Sequence, residues 1–204
     1  MTVLVGTLVG VLGALLMRPI VHRYTATNSP LWVGVPIAAV TASSMTYDVD
    51  GVLLSVALGS LAAVLVALSE IDVKVRRLPR EISYPAAVVG VSLLVADALT
   101  RDRADRAVMV LAGAAVFTIA MFVLFVIGRG SLGDGDVRIA PLLGSFLGYW
   151  SPRLVLSALL AASLVATVVA LGFMVVKRTG RGTTLPFGPF LALGTVIALA
   201  SQGL

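Results

Sequence analysis

Long apolar segments recur along the whole chain and restrict its fold more than any other feature. Of the 204 residues, 59% are hydrophobic and 12% are charged, and the mean hydropathy is +1.06. In a soluble domain about a quarter of the residues are charged. Backbone that crosses lipid must satisfy its own hydrogen bonds, and helices achieve this within one segment. The sequence therefore predicts an all-α bundle that crosses the membrane several times.

Eight apolar segments can be counted, which predicts about eight membrane segments in a single domain over residues 1–204. They cover residues 2–17, 31–45, 52–71, 84–98, 107–127, 137–150, 154–176 and 186–200. A full crossing needs about 20 residues, although tilt and bilayer thinning accommodate shorter segments. Segment 137–150 is the weakest and could be re-entrant.

The distribution of basic residues predicts the orientation. If the N-terminus lies outside and all eight segments cross, the inner loops hold most of the 15 basic residues. The inner set is Arg18, Arg23, Lys74, Arg76, Arg77, Arg80, Arg129, Arg138, Lys177, Arg178 and Arg181, and the outer set is Arg101, Arg103, Arg106 and Arg153. Such a bias is typical of cytoplasmic loops. The first apolar run has no basic start, which favours a retained helix over a cleaved signal peptide.

The composition also excludes several classes of function. There is no cysteine and one histidine, which excludes disulfides, thiolate metal sites, a cysteine nucleophile and a zinc site with paired histidines. The net charge of +5 is interpreted as loop charge, because no basic stretch is interleaved with aromatic residues as nucleic-acid binding requires. We expect no cofactor, no metal and no nucleic-acid partner.

Two aspartates stand at ends of apolar segments, where an ionisable residue is costly and suggests a functional site. Asp72 follows the third segment, and Asp136 precedes the sixth within Gly133-Asp134-Gly135-Asp136. Taken singly, each has a plainer explanation. Asp72 could pair with a nearby arginine or lysine, and Asp136 could cap a helix after a glycine-rich turn. In the predicted orientation both lie at the cytoplasmic face.

Three motifs together are more specific than any one of them. Asp72 is followed by Leu78-Pro79, then by Gly133-Asp134-Gly135-Asp136-Val137-Arg138, and then by Pro186-Phe187-Gly188-Pro189-Phe190. In this order the chain resembles the type IV prepilin peptidase family, membrane aspartic proteases with a GxGD motif. The resemblance covers roughly residues 52–200. Arg138 stands where the family usually has lysine.

The resemblance implies a function and a set of site residues. Asp72 and Asp136 would be the catalytic pair, with Asp134 as a secondary candidate. Supporting roles would fall to Leu78, Pro79, Gly133, Gly135, Arg138, Pro186, Phe187, Gly188 and Pro189. The substrate would be a prepilin or pseudopilin precursor, cut at the cytoplasmic face of the inner or plasma membrane in contact with lipid, in type IV pilus assembly or protein secretion. Two nearby carboxyls can share one proton, which suits this hydrolysis.

One departure from the family affects a second activity. Many members carry an insert with paired Cys-x-x-Cys motifs after the first helix, which is linked to N-methylation of the product. This chain has only residues 18–30 there and no cysteine. It resembles the minimal, peptidase-only members, which serve Flp-type pili or are the archaeal preflagellin peptidases, and methyltransferase activity is not expected.

Two other functions stay open from the sequence alone. The aspartates could form an ion or proton site in a transporter or channel, or they could pair with loop arginines in a structural subunit. Among the other acids, Glu70 is expected to face away from Asp72, while His22 is expected at the interface. The remaining acids are expected to be solvated; they are Asp48, Asp50, Glu81, Asp97, Asp102 and Asp105.

Overall fold

The computed structural model describes residues 1–25, 31–47, 49–128, 133–177 and 186–201, and within these ranges the regular structure is helical. The predicted all-α fold is confirmed. The helices are α1 (Thr2–Thr25), α2 (Leu31–Thr46), α3 (Val52–Val75), α4 (Arg80–Thr100), α5 (Ala104–Ile127), α6 (Asp134–Trp150), α7 (Arg153–Lys177) and α8 (Gly188–Ala200).

Five of these helices are long and apolar enough to cross a membrane: α1, α3, α4, α5 and α7. Large apolar side chains are exposed along outer faces, for example Leu8 and Leu12 on α1 and Leu160 and Leu164 on α7. Such faces suit contact with lipid. The chain is therefore a multi-pass membrane protein. Helix α6 has 17 residues, most of them buried inside the bundle, and its full crossing stays a prediction.

The helices extend beyond the apolar segments that predicted them. Helix α1 continues to Thr25, so Arg18 and His22 lie on a helix rather than in a loop. Helix α4 begins at Arg80, which reduces the connection after α3 to residues 76–79. The physical reason is that long charged side chains can reach the interface while their backbone stays helical. A hydropathy boundary marks the edge of the apolar layer and not the end of the helix.

Helices α3 and α6 occupy the centre of the bundle. Helices α1 and α2 pack against α3, α5 packs against α6, and α7 packs against α8. Helices α4 and α8 each pack against both central helices. Small residues allow close approach between helices, because a Cβ atom at Gly59 would collide with the carbonyl oxygen of Gly6. The same holds between Gly113 of α5 and Gly144 of α6.

The expectation that Asp97 is solvated is wrong. Asp97 lies near the end of α4 with only 1% of its surface exposed. Its Oδ2 accepts a hydrogen bond from the Tyr149 hydroxyl at 2.5 Å and pairs with the Arg101 guanidinium Nε at 3.0 Å. A buried carboxylate persists only with such partners. Arg101 is one turn away, but no local pattern indicates that Tyr149 of α6 reaches Asp97.

Candidate active site

Asp72 lies in the last turn of α3 and is 6% exposed. The helix ends at Arg76, which adopts a left-handed conformation with φ of 54°. The Arg76 amide donates a hydrogen bond to the Asp72 carbonyl oxygen at 2.8 Å. A left-handed residue that satisfies one of the last carbonyls is a common helix ending. This helix ending places the Asp72 carboxyl at the end of the bundle, where the chain turns towards Leu78 and Pro79.

The start of α8 contacts the Asp72 side chain. The Gly188 amide donates to Asp72 Oδ2 at 3.1 Å, across 116 residues of sequence. A Cβ atom at position 188 would lie 2.7 Å from that same oxygen. Only glycine fits so close to the carboxyl. The free amides at a helix start carry partial positive charge, which suits a neighbouring carboxylate. Pro186, Phe187 and Pro189 surround this helix start, and Phe187 packs against Phe190 with ring centroids 6.5 Å apart.

Asp136 lies in the first turn of α6 and is 5% exposed. Gly133 is the N-cap residue of this helix, and the Asp136 amide donates to the Gly133 carbonyl at 3.1 Å. The Asp136 carboxyl turns back towards Gly133, since a Cβ atom at position 133 would lie 3.4 Å from Asp136 Oδ2. Asp136 is therefore the third residue of the helix and not its N-cap residue, and a carboxyl at this position can cap the helix start as well as act in catalysis.

The Leu78-Pro79 segment leads from α3 into α4 and contacts the start of α6. Leu78 is buried, and a Cβ atom at Gly135 would lie 2.9 Å from the Leu78 Cβ. Pro79 precedes the first residue of α4, where its carbonyl accepts the Ser83 amide at 3.1 Å and the Ser83 hydroxyl at 3.0 Å. A fixed φ suits proline at this position. The segment that leads from α3 into α4 thus also packs against the start of α6.

The two buried carboxyls share one end of the bundle. All three sequence motifs meet here, because Gly188 contacts Asp72 and Gly135 contacts Leu78. Two carboxyls in one partly dehydrated site can share a proton and can jointly bind a water molecule. The arrangement is chemically suited to general acid–base hydrolysis.

The other polar candidates are exposed or pair with residues other than the two aspartates. The Asp134 side chain is 67% exposed and forms an ion pair with Arg138 one turn along α6. Glu70 pairs with Lys74 at 3.3 Å. Glu81 is exposed and accepts a hydrogen bond from the Tyr24 hydroxyl at 3.0 Å. His22 is exposed on α1.

Sequence reasoning missed an apolar groove beside the site. It has a volume of about 650 Å³ and lies between α2, α3 and α8. Ile37, Leu65 and Val196 line its length, while Val73 and Pro189 lie at the end next to Asp72 and Gly188. No local pattern identifies such a groove, because its three walls come from distant segments of the chain.

The fold and the site define a class: a multi-pass helical membrane protein with two buried aspartates at one end of the bundle. The type IV leader peptidase family model matches residues 59–171, more than half of the chain, and this stretch contains both aspartates. The chain belongs to that family, as its resemblance predicted.

Curated relatives agree with the family assignment. The chain is 29% identical to the prepilin leader peptidase/N-methyltransferase of Aeromonas hydrophila over 147 residues, which are 69% of this chain and 49% of the relative. It is 28% identical over 184 residues to the enzyme of that name from Pectobacterium carotovorum subsp. carotovorum, covering 89% and 63% of the two chains.

A third relative carries a related name. The type 4 prepilin-like proteins leader peptide-processing enzyme of Escherichia coli O78:H11 is 31% identical over 145 residues, covering 71% of this chain and 51% of the relative. The chain spans about half the length of most of these curated relatives. No solved structure matches the chain.

Proposed function

We propose that this protein is an aspartic endopeptidase that removes the leader peptide from type IV prepilin-like precursors. The observation that carries the proposal is the burial of both Asp72 and Asp136 at the end of the bundle where the three motifs meet. Membership of the leader peptidase family supports the peptidase activity. The names of the relatives support a prepilin substrate.

In the proposed mechanism the two carboxyls act as one unit. One carboxylate takes a proton from water, while the other, protonated, polarises the scissile carbonyl and later supplies a proton to the leaving amine. The Gly188 amide occupies Asp72 Oδ2, which leaves Oδ1 for the water. Hydrolysis then breaks the amide bond between leader and mature protein, and the water oxygen stays on the leader carboxylate.

The proposed site of cleavage is the cytoplasmic face of the inner or plasma membrane. The bias of basic residues supports this orientation, because the connections next to Asp72 and Asp136 then lie inside. The groove between α2, α3 and α8 supports an apolar segment lying beside the scissile bond, since one end of the groove adjoins Asp72. Basic residues at this face would also favour anionic lipid.

We propose that the product is not N-methylated by this chain. The support is the absence of cysteine from the sequence and the few residues between α1 and α2. The test is the mass of the processed pilin made in a host that has no other prepilin peptidase. An added methyl group on its N-terminus would contradict this part of the proposal.

The peptidase assignment is tested by co-expression with a candidate prepilin and a gel that resolves precursor from product. Asp72→Asn and Asp136→Asn each preserve side-chain volume and are expected to abolish processing while the protein stays in the membrane. The control is Asp134→Asn, which changes an exposed carboxyl in the same helix turn. Retained processing in either active-site variant would refute the catalytic pair and would favour the transporter alternative.

A further inference from the structure

A polar network lies at the opposite end of the helices from the two catalytic candidates. Its centre is the buried carboxylate of Asp97, which the Tyr149 hydroxyl and the Arg101 guanidinium both contact. The Arg106 guanidinium lies 5.0 Å from the centroid of the Tyr149 ring, in the geometry of a cation–π contact. Trp150 packs edge-on against the same ring with centroids 5.0 Å apart.

The network connects the far ends of both aspartate-bearing helices. Tyr149 belongs to the last turn of α6, about 20 Å along the helix from Asp136. Arg101 donates from Nη2 to the Asp50 carbonyl, two residues before α3 begins. One nitrogen of Arg101 therefore contacts the backbone just before α3. Another nitrogen pairs with Asp97, and Asp97 in turn contacts the last turn of α6.

The backbone just before α3 packs closely against the Arg101 side chain. Gly51 has a φ of 111°, a backbone conformation that glycine adopts readily. A Cβ atom at position 51 would collide with Nη2 of Arg101 and would lie 2.8 Å from its Cζ. Both constraints require glycine at the entry of α3, so the Arg101 guanidinium packs directly against the backbone that it contacts.

Such a network is better suited to fixing the relative positions of helices than to increasing the stability of the fold. Removing ions from water costs several kcal/mol per ion, which their pairing only partly offsets. Lipid is as apolar as leucine, so apolar contact alone does little to fix the axial position of one membrane helix against another. Hydrogen bonds and ion pairs at helix ends are directional, so they can fix this axial position. Helices α3 and α6 are bridged by α4, which carries Asp97 and is followed by its C-cap residue Arg101.

We propose that Asp97, Arg101 and Tyr149 are positioning residues that set the relative axial placement of α3 and α6, and thereby the spacing of Asp72 and Asp136. The link to catalysis rests on the proposed peptidase function. The link to helix placement does not, because it follows from contacts at the other end of the bundle. Loss of the network would then change the geometry of the site from about 20 Å away.

The test measures helix placement and catalysis separately. The natural chain has no cysteine, so spin labels can be attached to Val73→Cys on α3 and Asp134→Cys on α6, both at exposed positions beside the site. Distances between the two labels are compared in this labelled parent and in the same protein carrying one of two further changes. Tyr149→Phe removes one hydroxyl oxygen. Arg101→Lys keeps the charge but loses the guanidinium that contacts both ends of the network. The unlabelled variants are assayed for prepilin cleavage.

We expect both network variants to shift or broaden the distance distribution and to lower kcat at least tenfold with little change in KM. The control is Val155→Ala, which truncates a fully buried side chain on α7, a helix that contributes no residue to the network. It should leave the distances unchanged. Distances unchanged in both network variants would overturn the proposal. A clear shift in a protein whose parent cleaves no prepilin would sustain the positioning role and refute the peptidase function instead.

Discussion

At the scale of single residues, the geometry of the site depends on the close approach of a backbone amide to a carboxyl group. Gly188 presents its amide to Asp72, and no side chain fits between them. The aspartates themselves could be identified from sequence, because acids at the ends of apolar segments are rare and costly. The hydrogen bond between Gly188 and Asp72 could not, since it joins residues 116 positions apart and depends on how α8 packs against α3.

Gly188→Ala should reduce prepilin cleavage by about 100-fold, because displacing a reacting group by about 1 Å can cost that much. The added methyl group would push against Asp72 Oδ2, since the new Cβ atom would lie 2.7 Å from that oxygen. The matched control is Gly172→Ala on α7, where a Cβ would meet no atom within 4 Å. Initial rates of cleavage measure both. Equal rates in the two variants would contradict the assigned contact.

Asp134→Asn should retain cleavage within about threefold of the natural rate, since exposed ion pairs contribute only about 0–1 kcal/mol. Its partner Arg138 lies one turn away on the same helix, and the Asp134 side chain is largely exposed. The measurement is the processing rate beside that of Asp136→Asn. If Asp134→Asn were as inactive as Asp136→Asn, the secondary candidate would become a catalytic one.

At the scale of helices, α6 combines a polar start with a close-packed middle. Its first turn carries Asp136, while Gly144 allows the helix to approach α5 at Gly113. The apolar pattern of the sequence predicted both helices. It did not predict that α4 would begin at Arg80 or that α1 would continue to Thr25, because charged residues continue a helix beyond the apolar layer.

Gly144→Ala should destabilise the bundle by about 1–3 kcal/mol, the usual cost of forcing extra atoms into a packed interior. The added Cβ would lie 2.6 Å from the Phe117 Cβ and would collide with the Gly113 carbonyl oxygen. Thermal unfolding in detergent micelles measures the change, with Gly172→Ala as the control. A variant as stable as the natural protein would show that α5 and α6 are not in such close contact.

At the scale of the whole molecule, the bundle brings three distant motifs to one end and a polar network to the other. Sequence predicted the first, because an even number of crossings between Asp72 and Asp136 returns the chain to the same face. It did not predict the second. Asp97 was expected in water because its partner Tyr149 meets it only once α4 and α6 pack together.

The two ends should face opposite sides of the membrane. A membrane-impermeant thiol reagent should label Asp105→Cys in intact spheroplasts, whereas Arg77→Cys should react only after the membrane is permeabilised. Both positions are exposed, and the chain has no other cysteine. The predicted result follows from the distribution of basic residues. Labelling of Arg77→Cys in intact spheroplasts would contradict the cytoplasmic location of the site.

The central claim is that Asp72 and Asp136 act together on one water molecule, and single-turnover cleavage of a purified prepilin tests it most directly. The rates to compare are those of Asp72→Asn, Asp136→Asn and the double variant. Residues that act as a unit give strongly non-additive losses. We predict that the double variant is no slower than the slower single variant. Losses that multiply in the double variant would show that the two carboxyls work independently, and would contradict the shared mechanism.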